Sequence, residues 1–287
     1  MKKLKNTIIY IVLFFLLSLI IYNIKDIIDI KNSNSDDQLT ISYIDVGQGN
    51  SVLIQDGDKN MIIDGGDRAH SSKVISFLEQ RNINTIDYLV ASHYDSDHIS
   101  GLVGIFNKFK VKNVLNPDYT KDTKIFRSYK NQRDRSKAKV IIPRVGDKFN
   151  LNNSKFTIVG PQTYNFSEDN DRSIVIKLEY GDRKFLFPGD AAKESESAMI
   201  YSGINLKSDV LMVGHHGSKY STNDFFLDEV NPKIAVISVG KNNRYNHPSD
   251  KVLEKLEDRK IKVLRTDKMG DIILKTDGRR IEINHEK

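Results

Sequence analysis

The order of hydrophobic and polar positions along the chain predicts alternating strands and helices. After residue 40, the runs LTISYIDV, SVLIQ and NMIID are rich in β-forming residues and are separated by turns containing Gly and Asp. They predict an antiparallel start. SSKVISFLEQRN then has helical spacing, and later runs repeat a strand–helix order. Hairpins and crossovers in one chain predict a layered α/β sandwich.

The N-terminus has a different pattern. Residues 8–24 form an uncharged apolar run behind the three lysines of MKKLKNT, which is typical of export or anchoring. No small-residue cleavage site follows. We therefore interpret residues 1–24 as an uncleaved signal anchor rather than a cleaved signal peptide, although a span normally takes about 20 residues. Residues 25–39 are then a linker, and residues 40–287 a domain outside the cytoplasm.

Four side chains able to bind metal or transfer protons cluster in ASHYDSDHISG, residues 91–101: His93, Asp95, Asp97 and His98. In an extended segment, positions 93, 95 and 97 project to one side. Imidazole and carboxylate ligands suit Zn²⁺, Mn²⁺ or Fe²⁺, and the chain has no cysteine. The alternative is a polar loop in which Asp97 or Ser100 caps the next helix.

Three further strand ends carry similar residues. NMIID ends in Asp64, RKFLFPGD ends in Asp190, and DVLMVG is followed by His215 and His216. Each aspartate alone is also typical of a turn. Several strand ends that bring ligands to one rim indicate a metal site, because strands fix side chains more firmly than loops do. G-x-S-x-G is absent, so the sequence gives no support to a serine hydrolase.

These motifs together resemble the metallo-β-lactamase superfamily. Within it, the chain is similar to the soluble, nuclease-like domain of ComEC-type DNA-uptake competence proteins. The matching segments cover residues 40–284 in order: YIDVGQGNSVLI, SHYDSDHISG, DNDRSIVIKLEYGDRKFLFPGDA, LMVGHHGSKYST and NHPSDKVLEKL through RTDKMGDIILKTDG. The resemblance implies an αββα four-layer sandwich with a metal site at its rim.

The resemblance also implies roles for single residues around two divalent ions, Zn²⁺ or Mn²⁺. The first ion would be held by His93 and Asp95, and the second by Asp97, His98 and His216, with Asp190 bridging the two. Asp97, His215 and His247 are the expected catalytic or substrate-side groups. Which of the adjacent histidines binds metal is left open. Asp64 is expected to orient a ligand rather than to bind metal.

The chain departs from the wider superfamily at one motif. A histidine usually lies between the first metal motif and the bridging aspartate, but none occurs from 99 to 214 here. The ComEC-type pattern has Asn and Ser there, which match Asn170 and Ser173. Asp95 also replaces a histidine. The first metal position is therefore oxygen-rich, which favours Mn²⁺ over Zn²⁺ or leaves the position empty.

The charge distribution points to a polyanionic partner. The net charge is +6, from 44 basic and 38 acidic residues. Residues 121–139 hold eight of the basic residues, with Phe126 and Tyr129 among them. Candidates for sequence-independent phosphate contacts are Lys124, Arg127, Lys130, Arg133 and Arg135. The alternative is a solvated helix or a mobile loop.

The sequence thus predicts an extracytoplasmic, membrane-anchored hydrolase that cleaves phosphodiesters, specifically DNA, through a metal-activated water. A first alternative is a phosphorylcholine-esterase-like hydrolase of cell-envelope phosphodiesters. A second is a non-catalytic binding module of the same fold. No protein partner is evident, and the chain has no series of membrane helices that would make it an uptake channel.

Overall fold

The structure, a computed structural model, describes residues 38–286. The predicted anchor, residues 1–24, and nearly all of the predicted linker, residues 25–39, lie outside the described residues. The first strand begins at Leu39, one residue before the predicted start of the domain. Within the described part, every helix is too short or too polar to cross a membrane.

The first sheet has eight strands in the order β15-β14-β1-β2-β3-β4-β5-β6. Its strands are β1 (Leu39–Tyr43), β2 (Val52–Asp56), β3 (Lys59–Ile63), β4 (Thr85–Val90), β5 (Lys110–Leu115), β6 (Lys139–Ile141), β14 (Asp271–Thr276) and β15 (Ile281–Glu286). β1 pairs antiparallel with β2 and β14, so Ile41 lies between Ile54 and Leu274. From β3 to β6 the strands are parallel.

The second sheet has seven strands in the order β13-β12-β11-β10-β9-β8-β7. Its strands are β7 (Lys148–Asn150), β8 (Lys155–Gly160), β9 (Val175–Tyr180), β10 (Arg183–Phe187), β11 (Val210–Met212), β12 (Ile234–Ile237) and β13 (Lys262–Arg265). β7 to β10 are antiparallel, and β10 to β13 are parallel.

Helices cover the outer face of each sheet. They are α1 (Ser71–Gln80), α2 (Ser96–Lys108), α3 (Lys124–Ser136), α4 (Lys193–Tyr201), α5 (Asp224–Val230), α6 (Asp250–Asp258) and the short α7 (Thr266–Met269). Apolar residues of α1, α2 and α3 pack on the first sheet, and those of α4, α5 and α6 pack on the second. A separate apolar core lies between the sheets. The predicted αββα layering is confirmed.

Alternation along the strands explains how both faces of a sheet are filled. Ile41 and Ile54 point into the core between the sheets, whereas Leu53 and Ile62 point to the helices. All four are fully buried. Sheets covered on both faces need nearly continuous apolar strands, which is the pattern that the sequence has.

The parallel strands position the polar motifs. The carboxyl ends of parallel neighbours meet at the same edge of a sheet. β3 ends immediately before Asp64, and β4 ends before the 91–98 segment. β10 ends shortly before Asp190, and β11 ends before His215. Each sheet therefore presents its metal-capable side chains along a single edge.

Candidate metal centre

Three buried histidines are oriented in the same way. In each ring Nδ1 is held by a hydrogen bond, which leaves Nε2 facing the centre. The Nδ1 bonds join His93 to Ser92 Oγ at 3.1 Å, His98 to Asp64 Oδ2 at 2.8 Å and His216 to the Ser238 carbonyl oxygen at 2.9 Å. A second partner of this kind fixes the tautomer and orientation of a metal-binding histidine.

Asp190 lies in the middle of these rings. Its carboxylate oxygens are 3.3 Å from His98 Nε2, 3.7 Å from His216 Nε2 and 3.9 Å from His93 Nε2. Its backbone N–H donates to Ser173 Oγ at 3.2 Å. Burial opposes the charged carboxylate, but the surrounding imidazoles hold the pKa of Asp190 well below its usual range. Asp190 is therefore an anion at neutral pH, as a metal ligand must be.

The donor set fits a divalent metal. His93 Nε2 and Asp190 Oδ1 are buried but have no hydrogen-bond partner, which in a native site calls for a ligand or ion. Two groups have all their ligand atoms within 4.8 Å of one another: His93 with His98 and Asp190, and Asp97 with His98 and His216. Nitrogen and carboxylate oxygen without sulfur suit Zn²⁺ or Mn²⁺.

Asp95 and Asp97 flank the start of α2 on the open side of the centre. Asp97 Oδ2 is 3.4 Å from His216 Nε2. Although burial opposes ionisation, the hydrogen bond with His216 lowers the pKa of Asp97. Asp95 occupies the N-cap position of α2 but makes no capping bond, and its Oδ2 is 3.8 Å from His93 Nε2. The alternative in which Asp97 or Ser100 caps the helix is wrong.

Asp64 holds residues of the metal centre in place through hydrogen bonds. Fully buried, it accepts hydrogen bonds from Ser92 N at 2.8 Å, Ser92 Oγ at 2.7 Å and His98 Nδ1 at 2.8 Å. Glycines bring these groups together, since a Cβ on Gly101 would lie 1.8 Å from the Gly65 carbonyl oxygen. Helix α2 can therefore approach the β3 end closely enough for His98 to reach Asp64.

His215, Asn170 and His247 form the outer rim. His215 is one quarter exposed, and its Nε2 is 3.7 Å from Asp190 Oδ2. Asn170 Nδ2 donates to His215 Nδ1 at 3.3 Å, and the ring of His247 stands edge-on to His215 at 5.6 Å. Burial and the neighbouring His215 lower the pKa of His247 to about 4. His247 is therefore neutral at neutral pH.

The HHGS motif needs an unusual backbone. His215, His216 and Gly217 have φ values of 50°, 55° and 83°, a left-handed conformation that costs non-glycine residues roughly 1–2 kcal/mol each. A side chain at Gly217 would collide with Pro248, whose Cβ lies 2.5 Å from the added Cβ position. This backbone turns the rings of His215 and His216 in different directions, one to the rim and one to the centre.

Two supporting residues were missed by the sequence analysis. Ser92 links Asp64 to His93, and its place directly before the first histidine was the available signal. Glu196 on α4 accepts from Asn223 N at 3.0 Å and Asn223 Nδ2 at 2.7 Å, beyond the HHGS loop. Burial raises the pKa of Glu196 to about 7, although these hydrogen bonds act to lower it. No sequence motif marks Glu196.

The five basic residues proposed for phosphate contacts lie on α3, which packs against α2. Three are engaged in ion pairs with acidic neighbours: Arg127 with Asp122, Lys130 with Asp134 and Arg133 with Asp134. Lys124 and Arg135 are exposed. Phe126 and Tyr129 are buried, so they cannot stack on bases. Another lysine, Lys121, reaches the metal centre itself.

The two-sheet sandwich and a histidine–carboxylate centre at its strand ends define a class of protein. The chain belongs to the metallo-beta-lactamase superfamily, whose model it matches over residues 44–241. This is a superfamily of metal-dependent hydrolases. Among solved structures, the chain is similar to the metallo-beta-lactamase fold protein YhfI from Bacillus subtilis, with a TM-score of 0.58 and 12% identity over 84% of this chain and 100% of that one.

Two curated relatives are competence proteins. The chain is 34% identical over 254 residues to ComE operon protein 3 of Bacillus subtilis, which covers 81% of this chain and 32% of the relative. It is 29% identical over 242 residues to competence protein ComA of Neisseria gonorrhoeae, covering 82% of this chain and 32% of the relative. The resemblance to ComEC-type proteins is confirmed. The chain spans about a third of the length of these relatives.

Proposed function

We propose that this chain is a phosphodiesterase that cleaves DNA. The observation that carries the proposal is the convergence of histidine Nε2 atoms on Asp190, beside a rim of polar side chains. The similarity to competence proteins supports DNA as the substrate.

The ligand set assigns a place to each metal-binding residue. His98, His216, Asp97 and Asp190 would hold one divalent ion, and His93 and Asp95 would hold a second beside Asp190. An ion bound there would supply Lewis-acid polarisation of a phosphoryl oxygen and would lower the pKa of a nearby water.

The remaining residues orient the substrate. His215 and Asn170 lie on the rim, where a phosphate oxygen can approach their ring and amide nitrogens. Asn170 Nδ2 contacts Nδ1 of His215, so Nε2 of that ring is on the side of Asp190. His247 is neutral at pH 7 and therefore acts as a hydrogen-bonding group beside His215 rather than as a proton donor.

The test is hydrolysis of bis-p-nitrophenyl phosphate by the full chain supplied with Mn²⁺ or Zn²⁺, followed by cleavage of plasmid DNA. We expect the wild-type chain to hydrolyse both substrates and Asp97→Ala to hydrolyse neither. Treatment with a chelator is expected to abolish wild-type activity, which should return only when metal is added back. Absence of bound metal and of turnover would instead support the non-catalytic binding module.

Exposed cations on α3 provide the DNA-specific control. Lys124→Gln combined with Arg135→Gln removes two exposed charges on α3. Because phosphate contacts act by releasing counterions, the double variant is expected to weaken DNA cleavage and its salt dependence while leaving bis-p-nitrophenyl phosphate hydrolysis unchanged. Equal activity on DNA would count against nucleic acid as the substrate.

One cavity favours the phosphorylcholine alternative. A pocket of about 510 Å³ is lined by His215 and Asn170 and also by Glu168, Glu194 and Tyr220. Carboxylates and an aromatic ring suit a quaternary ammonium group, although Lys193 and Lys219 also line the pocket. Release of choline phosphate from p-nitrophenyl phosphorylcholine, without DNA cleavage, would select this second candidate.

We further propose that residues 1–24 anchor the chain, with residues 40–287 outside the cytoplasm. The basic, then apolar N-terminal sequence supports this arrangement. Protease added to intact cells is expected to digest residues 40–287, and full protection would contradict the topology.

A further inference from the structure

Lys121 lies between two carboxylates at the rim of the metal centre. It belongs to the segment between β5 and α3, and its ammonium contacts Asp95 Oδ1 and lies 2.8 Å from Asp169 Oδ2. Asp169 has a second cation, Arg172, whose Nη1 is 3.0 Å from Asp169 Oδ1. Asp95 therefore depends on Lys121 for its neutralising charge more than Asp169 does.

The other acidic ligands have no such neighbour. Among residues 38–286, Asp97 forms an ion pair only with His216, and Asp190 forms ion pairs only with histidines. Histidines become neutral when they bind metal, but a lysine remains charged. Within the described residues, a lysine thus forms a direct ion pair with a ligand of one metal position, whereas Arg244 interacts with Asp97 of the other only at longer range.

We propose that Lys121 serves as a built-in cation at the first metal position, so that this position binds a divalent ion more weakly than the position formed by Asp97, His98 and His216. By neutralising Asp95, Lys121 removes much of the attraction that this carboxylate would exert on an ion. The missing third histidine acts in the same direction, since the nitrogen nearest to His93, that of His98, is assigned to the other position. The inference rests on the metal centre of the proposed function.

The structure also allows the opposite effect, in which Lys121 strengthens metal binding at the first position, and this makes the proposal testable. Asp95 Oδ1 faces Lys121, and Oδ2 faces His93. If Lys121 mainly held Asp95 in a ligating orientation, removal of the lysine would weaken the first position. If Lys121 mainly neutralises Asp95, removal strengthens it. The sign of the change distinguishes the two.

The experiment is a titration of the metal-free full chain with Mn²⁺. The electron paramagnetic resonance signal of free Mn²⁺ measures how much of the ion is bound at each step. We expect the wild-type chain to bind one ion tightly and a second about tenfold or more weakly. In Lys121→Met, the dissociation constant of the weakly bound ion is expected to fall about tenfold. The dissociation constant of the tightly bound ion is expected to stay unchanged. Lys121→Gln is titrated in parallel with the same expectation, and thermal unfolding checks that both variants fold.

Two controls define the effect. Lys121→Arg keeps the charge and is expected to keep the wild-type pattern. Lys124→Met removes an exposed lysine three residues away and is expected to change neither constant. The proposal is overturned if Lys121→Met leaves the dissociation constant of the weakly bound ion unchanged or raises it. It is also overturned if the wild-type chain binds two ions equally tightly. Because the readout is binding, an intact binding pattern without hydrolysis would refute only the proposed phosphodiesterase.

Discussion

Asp190→Asn is expected to lower the rate of bis-p-nitrophenyl phosphate hydrolysis by about 10³-fold, because a bound metal contributes several kcal/mol of transition-state stabilisation. Asp190 is within 4 Å of His93, His98 and His216, so its carboxylate adjoins histidines from both ligand groups. The asparagine has the same shape but lacks the charge that attracts the ion. Mn²⁺ affinity is expected to fall together with turnover.

The matched control is Asp182→Asn, an exposed carboxylate on the turn between β9 and β10. It removes the same charge at the far end of the strand that leads to Asp190, and wild-type affinity and turnover are expected. Asp190→Asn with nearly normal Mn²⁺ affinity would exclude Asp190 as a bridging ligand.

Asp64→Asn is expected to lower both the metal affinity and the free energy of unfolding, although Asp64 is not itself a metal ligand. Loss of an outer partner of a metal-binding histidine typically costs 10–100-fold in metal affinity, so a decrease of about that size is expected. Asp64 also accepts three short hydrogen bonds in a fully buried position. Loss of that buried charge is expected to decrease the free energy of unfolding by about 2–4 kcal/mol.

The loss of stability in Asp64→Asn is expected to depend on pH. Burial opposes protonation of His98, but Asp190 and Asp64 raise its pKa well above the usual value. A raised histidine pKa stabilises the fold fully below the unfolded value of about 6.5, and this contribution is lost as pH rises through the folded pKa. In chelator, denaturant unfolding should therefore show a larger deficit near pH 6 than at alkaline pH. Asp118→Asn, an exposed control, is expected to be neutral, and an equal deficit at all pH values would exclude this linkage.

The fold was predictable because the strands alternate on two covered faces. Ile54 and Leu53, adjacent in β2, belong to different cores, and the nearly continuous apolar runs that such doubly covered strands need are visible in the sequence. The strand ends likewise indicated where Asp64, Asp190 and the histidines would lie. What the sequence could not provide was the direction of each ring in His215-His216, because it depends on two left-handed residues in succession.

The support of the site was less predictable. Lys121 was part of a basic segment, but its contact with Asp95 depends on how the segment before α3 folds back over the centre. The sequence places Phe126 and Tyr129 among the basic residues of that segment, and the structure shows both to be core residues. Contacts between residues distant in sequence depend on tertiary packing, which local patterns do not encode.

The position of the metal centre also affects how long the fold persists. His98 follows a strand of the first sheet and His216 a strand of the second, 118 residues further along the chain, with their Nε2 atoms 3.3 Å apart. An ion held by both would close a long loop, as a disulfide does in chains that contain cysteine. Because this contact exists only after the two sheets have docked, bound metal would chiefly slow unfolding rather than speed folding. In this cysteine-free chain, metal supply would thus govern resistance to proteolysis.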